Sequence, residues 1–262
     1  MGATFEECVE YREHLTSILK VLKGVCDKED ECRTHLCAFA KKRGLPVEYL
    51  DRKGVFYLSA TMAQAFNRAK TVRQPVGVCA PKVEDRDKEN LWRMKSTKVF
   101  RFMGATLSGG RNILEDRIIY PLYSYITDKD GNPLVCGVCG YDETDGALAK
   151  YIYCQTPCFS RAGYLYGEER FFDACHSNAV LMGEGLVDKL WLEYVMEQNG
   201  YDFPAFASCG VRTHETKMTK LSLLSEKGRI YYFPDRDKPG REFSDALVKA
   251  LSERKVCLCY VQ

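Results

Sequence analysis

The chain has 262 residues, with 38 Lys and Arg against 36 Asp and Glu for a net charge of +2, enough length to bury one large core or two smaller ones. No apolar run approaches the ~20 residues of a membrane span, the opening MGATFEECVEYREHL lacks the basic and apolar regions of a secretory signal, and Glu6 breaks the N-myristoylation pattern. The 13 cysteines are odd in number and often lie inside apolar runs, as Cys257 and Cys259 do, so reduced thiols in a cytoplasmic protein are expected rather than a disulfide framework.

Residues 4–24 read as a helix with Phe5, Cys8, Val9, Leu15, Ile18 and Leu22 on its apolar side. A charged break at 27–31 precedes a second helix, 33–43, ended by Gly44. Pro46 opens a short helix, 55–58 is a strand, and 82–90, dense in both charges, is an exposed loop. The stretch GATLSGGRN, residues 104–112, imitates a phosphate loop but places Arg111 and Asn112 where Lys and Ser or Thr are required, so a plain loop is expected. Residues 117–141 form a hairpin, IIYPLYSYI and PLVCGVCGY about the turn DKDGN. Charge divides along the chain: 5 basic against 8 acidic residues in 1–40, 16 against 6 in 41–111, and 17 against 22 in 112–262. A basic middle joined to an acidic end is an electrostatic footprint for a polyanion.

From residue 178 the pattern becomes β-α-β-α-β-α-β. Strands are expected at 179–182, 203–207, 230–233 and 256–261, and helices at 186–199, 213–227 and 239–253. That alternation predicts a small parallel sheet covered by helices, an α/β domain at 178–262 following an α+β subdomain at 1–177 with a helical start, a basic middle and the hairpin. Glu184 falls where the first of these strands stops, and Asp235 and Asp237 where the third stops. Ligands of parallel sheets bind beyond the strand C-termini where the strand order reverses. If those two strands are neighbours, the acids meet there.

Three carboxylates cannot stay ionised side by side without a cation, and oxygen-only ligands favour Mg²⁺ or Mn²⁺ over zinc. Asp188, one helical turn after Glu184, is placed to reach the same ion. Gly185 permits close approach of backbone to an ion or phosphate, and the helix opening at Pro239 offers its first N–H groups to phosphate. Cys136, Cys139, Cys154 and Cys158 have the spacing of a zinc ribbon. Because Cys136 and Cys139 sit within a period-two strand, zinc is not expected there. Nor is it expected at the looser cluster Cys26, Cys32, His35 and Cys37, and His176 and His214 read as structural or exposed.

Glu184 with the pair Asp235 and Asp237 resembles the TOPRIM domain of bacterial-type primases, topoisomerases and some nucleases. In order, RIIYPLYSYITDKDGNPLVCGVCGYDE, KYIYCQTPCFSRAGYLYG and the two acidic strands resemble the catalytic core of bacterial-type, DnaG-like DNA primases. KKRGLPVEYL resembles a segment near that core's start, and the likeness runs over about residues 38–256. It implies a Rossmann-like TOPRIM sheet and a nucleotidyltransferase that makes short RNA primers on a single-stranded DNA template from ribonucleoside triphosphates. Glu184, Asp235 and Asp237 would be its catalytic acids. Arg117 stands where the family has a basic residue before its FP dipeptide, here Tyr120 and Pro121; Lys150 matches the lysine of its KYLN segment, and Arg161 a lysine before the YG pair, here Tyr166 and Gly167. With Arg43 these would line the path of template and nucleotide, and Gly185 and Lys238 add phosphate contacts beside the acids.

Three features depart from the family. Tyr141 follows Gly140 where an arginine is usual, a later acidic pair is absent, and neither a zinc ribbon nor a helicase-binding domain is recognisable. The resemblance therefore implies a polymerase core alone, served by a replicative helicase or a separate zinc-ribbon protein, in a bacterial cell or encoded by a phage or mobile element. A TOPRIM nuclease, and an inactive relative that only binds DNA or a replication partner, are the alternative readings.

Overall fold

The computed structural model describes residues 4–64, 113–144, 147, 149–154, 156, 158–208, 214–226, 228–254, 256 and 258–261. The loops expected at 82–90 and 104–112 lie outside the described residues. Packing separates two compact units, Met1–Leu122 with Leu134–Phe159, and Tyr123–Pro133 with Ser160–Gln262.

In the first unit, helix α1 (Phe5–Cys26) opens on a reciprocal cap: the Glu7 N–H donates to Thr4 Oγ1 at 3.2 Å and the Thr4 N–H to Glu7 Oε2 at 2.8 Å. Helix α2 (Asp30–Arg43) begins earlier than the charge run suggested, because Asp30 and Glu31 are favourable at the positive end of a helix dipole and need not break it. It ends at Gly44, whose φ of 65° lies in the left-handed region. Helix α3 (Val47–Arg52) carries Asp51, which accepts from Lys23 of α1 at 3.0 Å and Arg33 of α2 at 2.8 Å and so ties the three helices together. Strands β1 (Phe56–Leu58), β2 (Arg117–Thr127), β3 (Pro133–Tyr141) and β4 (Tyr151–Cys154) form a sheet in that order, with β1 antiparallel to β2 and β3 to β4. Leu15, Leu36, Phe39, Tyr49, Phe56, Tyr120 and Tyr141 are buried in this unit. The turn between β2 and β3, grouped with the second unit, is fixed by Asp128, whose Oδ1 accepts the N–H groups of Asp130 at 2.9 Å and Asn132 at 2.8 Å.

The second unit holds a 3₁₀ turn (Glu168–Arg170), α4 (Phe171–Ala174), β5 (Ala179–Gly183), α5 (Leu186–Gln198), β6 (Ala205–Ala207), α6 (Glu215–Leu224), β7 (Arg229–Tyr232), α7 (Lys238–Ser252) and β8 (Leu258–Tyr260). Its four strands are parallel in the order β6-β5-β7-β8. The chain thus mixes α and β structure, with an antiparallel sheet and a four-stranded parallel one. Alternation assigns the faces of the parallel sheet: Val180, Met182, Ile230 and Tyr232 join Met218, Leu221, Phe243 and Leu247 in one cluster, while Leu181, Tyr231 and Phe233 join Leu192 and Met196 in another. Both faces are therefore covered, which is why these strands read as unbroken apolar runs. Leu165, Phe171 and Ala174 lie in the larger cluster, so residues 160–177 belong to this unit by packing. Strand β6 starts after Pro204, which has no N–H to give a ladder. Among the described residues no helix is long and apolar enough to cross a membrane.

Candidate active site

From β5 the sheet grows one way to β6 and the other way to β7, so its strand order reverses between β5 and β7. Glu184 follows β5 there. Its Oε1 accepts two hydrogen bonds, from the Tyr232 hydroxyl at 2.8 Å and from the Asp235 backbone N–H at 3.1 Å. The end of β5 is thereby bonded to the segment that carries the two aspartates. Asp235 and Asp237 are exposed. Asp237 caps α7, its Oδ1 accepting the Gly240 N–H at 2.8 Å. Gly240 has to lack a side chain, since a Cβ there would stand 2.6 Å from the Asp235 carbonyl oxygen. Asp188 Oδ2 accepts the Gly185 N–H at 2.7 Å, closing the first turn of α5. A Cβ on Gly183 would stand 2.7 Å from the Asp188 Cβ, so this turn too depends on a glycine.

Burial pushes the Glu184 carboxyl above the usual carboxylate range; its two donors pull it down, and the charges of Asp235 and Asp237 push it up again. Asp235, exposed as a residue but with its carboxyl partly shielded from water, is likewise raised, by that partial desolvation and then by Asp237. Asp235 and Asp237 thus act on Glu184, and Asp237 on Asp235, as like charges at one rim. Beside it lies a cavity of about 850 Å³ lined by Phe233, Pro234, Asp235, Arg236, Arg241 and Asp245, with Val261. As the side chains stand, no group of three or more His, Cys, Asp or Glu among the described residues surrounds one point. The donor chemistry fits a hard divalent ion: oxygen ligands only, carboxylates that act on one another as like charges, and on Asp237 one oxygen committed to the N–H just described.

Helix α5, which leaves the Glu184 turn, is pinned by a buried cation. The Lys189 Nζ lies 3.0 Å from Glu169 Oε1 and 3.0 Å from Glu193 Oε2, and 5.0 Å from the centre of the Tyr166 ring. Burial lowers the lysine pKa, but the two carboxylates more than offset this and raise it above the ordinary value, so Lys189 is charged at neutral pH.

Three of the expected basic residues gather at one end of the antiparallel sheet. Arg43 lies 5.5 Å above the Tyr141 ring and donates to its hydroxyl. Arg117 donates to the Ala149 carbonyl at 2.9 Å and pairs with Asp142 at 3.3 Å, its side chain only 12% exposed. Lys150 is exposed, and its carbonyl accepts the Asp142 N–H at 2.9 Å. In the second unit Arg161 is exposed, Gly185 precedes α5, and Lys238 is exposed 3.8 Å from Glu242. Of the cysteine set, Cys136 and Cys139 sit three apart on β3, a separation that turns them to opposite faces, and Cys136 donates to the Leu122 carbonyl at 3.2 Å. Cys26 and Cys32 are buried, and Cys37 is exposed.

No protein-family model and no curated protein matches the sequence. Solved structures do match the fold. The RNA polymerase domain of Mycobacterium tuberculosis primase DnaG superposes with a TM-score of 0.65 at 15% identity, over 100% of this chain and 77% of that one. The zinc-binding and RNA polymerase domains of Aquifex aeolicus primase give 0.60 at 16%, over 96% and 55%. A DnaG primase catalytic domain bound to single-stranded DNA gives 0.58 at 20%, over 92% and 67%. The fold is that of the DnaG primase catalytic core. A TOPRIM domain is part of that core, and this chain spans 55 to 77% of the length of those three primase chains.

Within the primase-core fold, the sequence alone pointed to the acids but missed what stands around them: Tyr232, Gly240, Gly183 and Lys189. Two of these left a trace. Tyr232 puts a hydroxyl into an otherwise apolar strand, and Gly240 stands three residues after Asp237, the spacing of a helix cap and the N–H it accepts.

Proposed function

We propose that this chain is a primase-like catalytic core, a metal-dependent nucleotidyltransferase that makes short RNA primers on single-stranded DNA. The observation that carries the proposal is Glu184 hydrogen-bonded to the Asp235 backbone across the strand-order reversal, in a primase-core fold. Glu184, Asp235 and Asp237 would hold Mg²⁺ or Mn²⁺ through one oxygen or more each, with Asp188 as a further ligand. Held there, such an ion would supply the Lewis acidity that activates a primer 3′ hydroxyl and would offset charge on the phosphates of an incoming nucleotide. Glu184 serves as ligand or as general acid and base, its carboxylate kept in place by its two donors. Arg43, Lys150, Arg161 and Lys238 would bind template and triphosphate; Arg117 reaches a phosphate only by giving up Asp142, and otherwise supports the Arg43 end of the sheet. Gly185 leaves room for backbone to approach a phosphate. The matched DnaG domain bound to single-stranded DNA supports the choice of template.

Incubation with single-stranded templates, ribonucleoside triphosphates and Mn²⁺ should yield short RNA, and Asp235→Ala should yield none. Cutting of DNA by the wild type without nucleotides would favour the nuclease reading. No product across templates, with a zinc-ribbon or helicase protein added, would count against synthesis.

A further inference from the structure

We propose that Tyr232 is a positioning residue for Glu184: it fixes Oε1 and reserves Oε2 as the single carboxylate oxygen available to an ion or a proton. The inference rests on the metal-dependent reading given above and adds to it which atom does the work and which residue sets it.

Proton accounting carries the argument. Tyr232 is fully buried, and a buried hydroxyl needs an acceptor for its one hydrogen. Among the described residues its hydroxyl reaches Glu184 Oε1 at 2.8 Å and Ser244 Oγ at 3.3 Å. Ser244 spends its own hydrogen on the Gly240 carbonyl at 2.7 Å, so toward Tyr232 it offers only a lone pair. The shorter distance and the charge of the acceptor both direct the tyrosine hydrogen to Glu184. Oε1 also takes the Asp235 N–H at 3.1 Å. Two donors therefore occupy one oxygen of the carboxylate, while Oε2 has no hydrogen bond among the described residues.

The ring is held independently of the hydroxyl. It stands edge-on to Phe243 at 6.4 Å between centres and belongs to the larger core cluster of its unit. Tyr232 is therefore a fixed post from which the hydroxyl sets the rotamer of Glu184. Ser244 supplies a second acceptor at 3.3 Å, so the tyrosine hydrogen need not be stranded in the interior if the carboxylate turns away during a reaction cycle.

The test is calorimetric titration of the full chain with Mn²⁺, alongside thermal unfolding of the metal-free protein. Tyr232→Phe keeps the packed ring and should weaken Mn²⁺ binding about 10-fold or more, the scale seen when residues supporting metal ligands are removed, with the metal-free Tm nearly unchanged. Ser244→Ala leaves the bond to Glu184 in place and should bind Mn²⁺ within about 2-fold of wild type. Wild-type affinity in Tyr232→Phe overturns the inference. So does an equal loss in Ser244→Ala, which would trace the effect to the start of α7, and so does a fall in metal-free Tm that accompanies the loss. If the wild type binds no Mn²⁺, or if Asp235→Ala binds it as well as wild type does, the metal reading itself fails and takes this inference with it. Binding that is lost in Asp235→Ala but intact in Tyr232→Phe sinks only the role of Tyr232.

Discussion

Replacing Lys189 by methionine should destabilise the protein more than most single substitutions. The residue is 1% exposed, and its Nζ is 3.0 Å from a carboxylate oxygen of Glu169 and 3.0 Å from one of Glu193. Methionine fills similar space but leaves two carboxylates facing each other, and the Oε2 of Glu169 is already buried with no hydrogen bond among the described residues. Removing one side of a buried ion pair costs about 3–5 kcal/mol, because the other side is left charged and unpaired. For a protein of this size about 1 kcal/mol moves Tm by roughly 2–4 °C, so a fall on the order of 6–20 °C is expected. The assay is thermal unfolding at neutral pH by circular dichroism, repeated for Lys189→Met combined with Glu169→Gln and Glu193→Gln. That triple variant should recover most of the loss, since a neutral cluster needs no cation. A Tm for Lys189→Met within about 2 °C of wild type would refute the reasoning, as would a triple variant no better than the single one.

Two further outcomes follow from the carboxylate rim. Gly240→Ala would bring a Cβ to 2.6 Å from the Asp235 carbonyl oxygen, which as backbone cannot swing aside. The aspartate segment should shift, costing about 1–3 kcal/mol of stability and, by Mn²⁺ titration, about 10-fold or more in affinity; unchanged affinity would show that the loop tolerates the shift. Glu184→Gln should change how stability depends on pH. The Glu184 carboxyl is raised in the folded state, so the native protein binds its proton more tightly than the unfolded chain does, and stability falls as pH rises from the ordinary carboxylate range through the raised value. Without metal, the Tm of Glu184→Gln relative to wild type should therefore climb across that window and level off above it. Saturating Mn²⁺ should reverse the order by stabilising the wild type preferentially. A difference flat in pH would remove the account of a carboxyl raised first by burial and then by its acidic neighbours.

Much of the parallel-sheet unit was legible because its information is local. A strand buried on both faces writes itself as an apolar run, and the residue ending it is adjacent in sequence, so Glu184 and Asp235 were visible without any knowledge of strand order. What joins them was not. Tyr232 and Glu184 lie 48 residues apart and meet only because β5 and β7 are neighbours, a fact of topology rather than of spacing. Lys189 was hidden for a related reason: a lysine on a helix reads as a solvated face until Glu169, 20 residues earlier, is brought over it. Arg117 is the converse case, a cation legible in the sequence whose pairing with Asp142 was not. Among the helices, α2 started early because the acids at 30 and 31 suit a helix start as well as they suit a break.

Asp237 is at once the lid of a helix and a member of the acidic trio, and this confounds the commonest way of interrogating it. Alanine at that position would strip the first turn of α7 of its side-chain acceptor along with the charge, and a lost Mn²⁺ affinity would not say which of the two changes caused it. Asparagine keeps an oxygen for the Gly240 N–H while removing the ionisable group, so it is the replacement that tells architecture apart from chemistry.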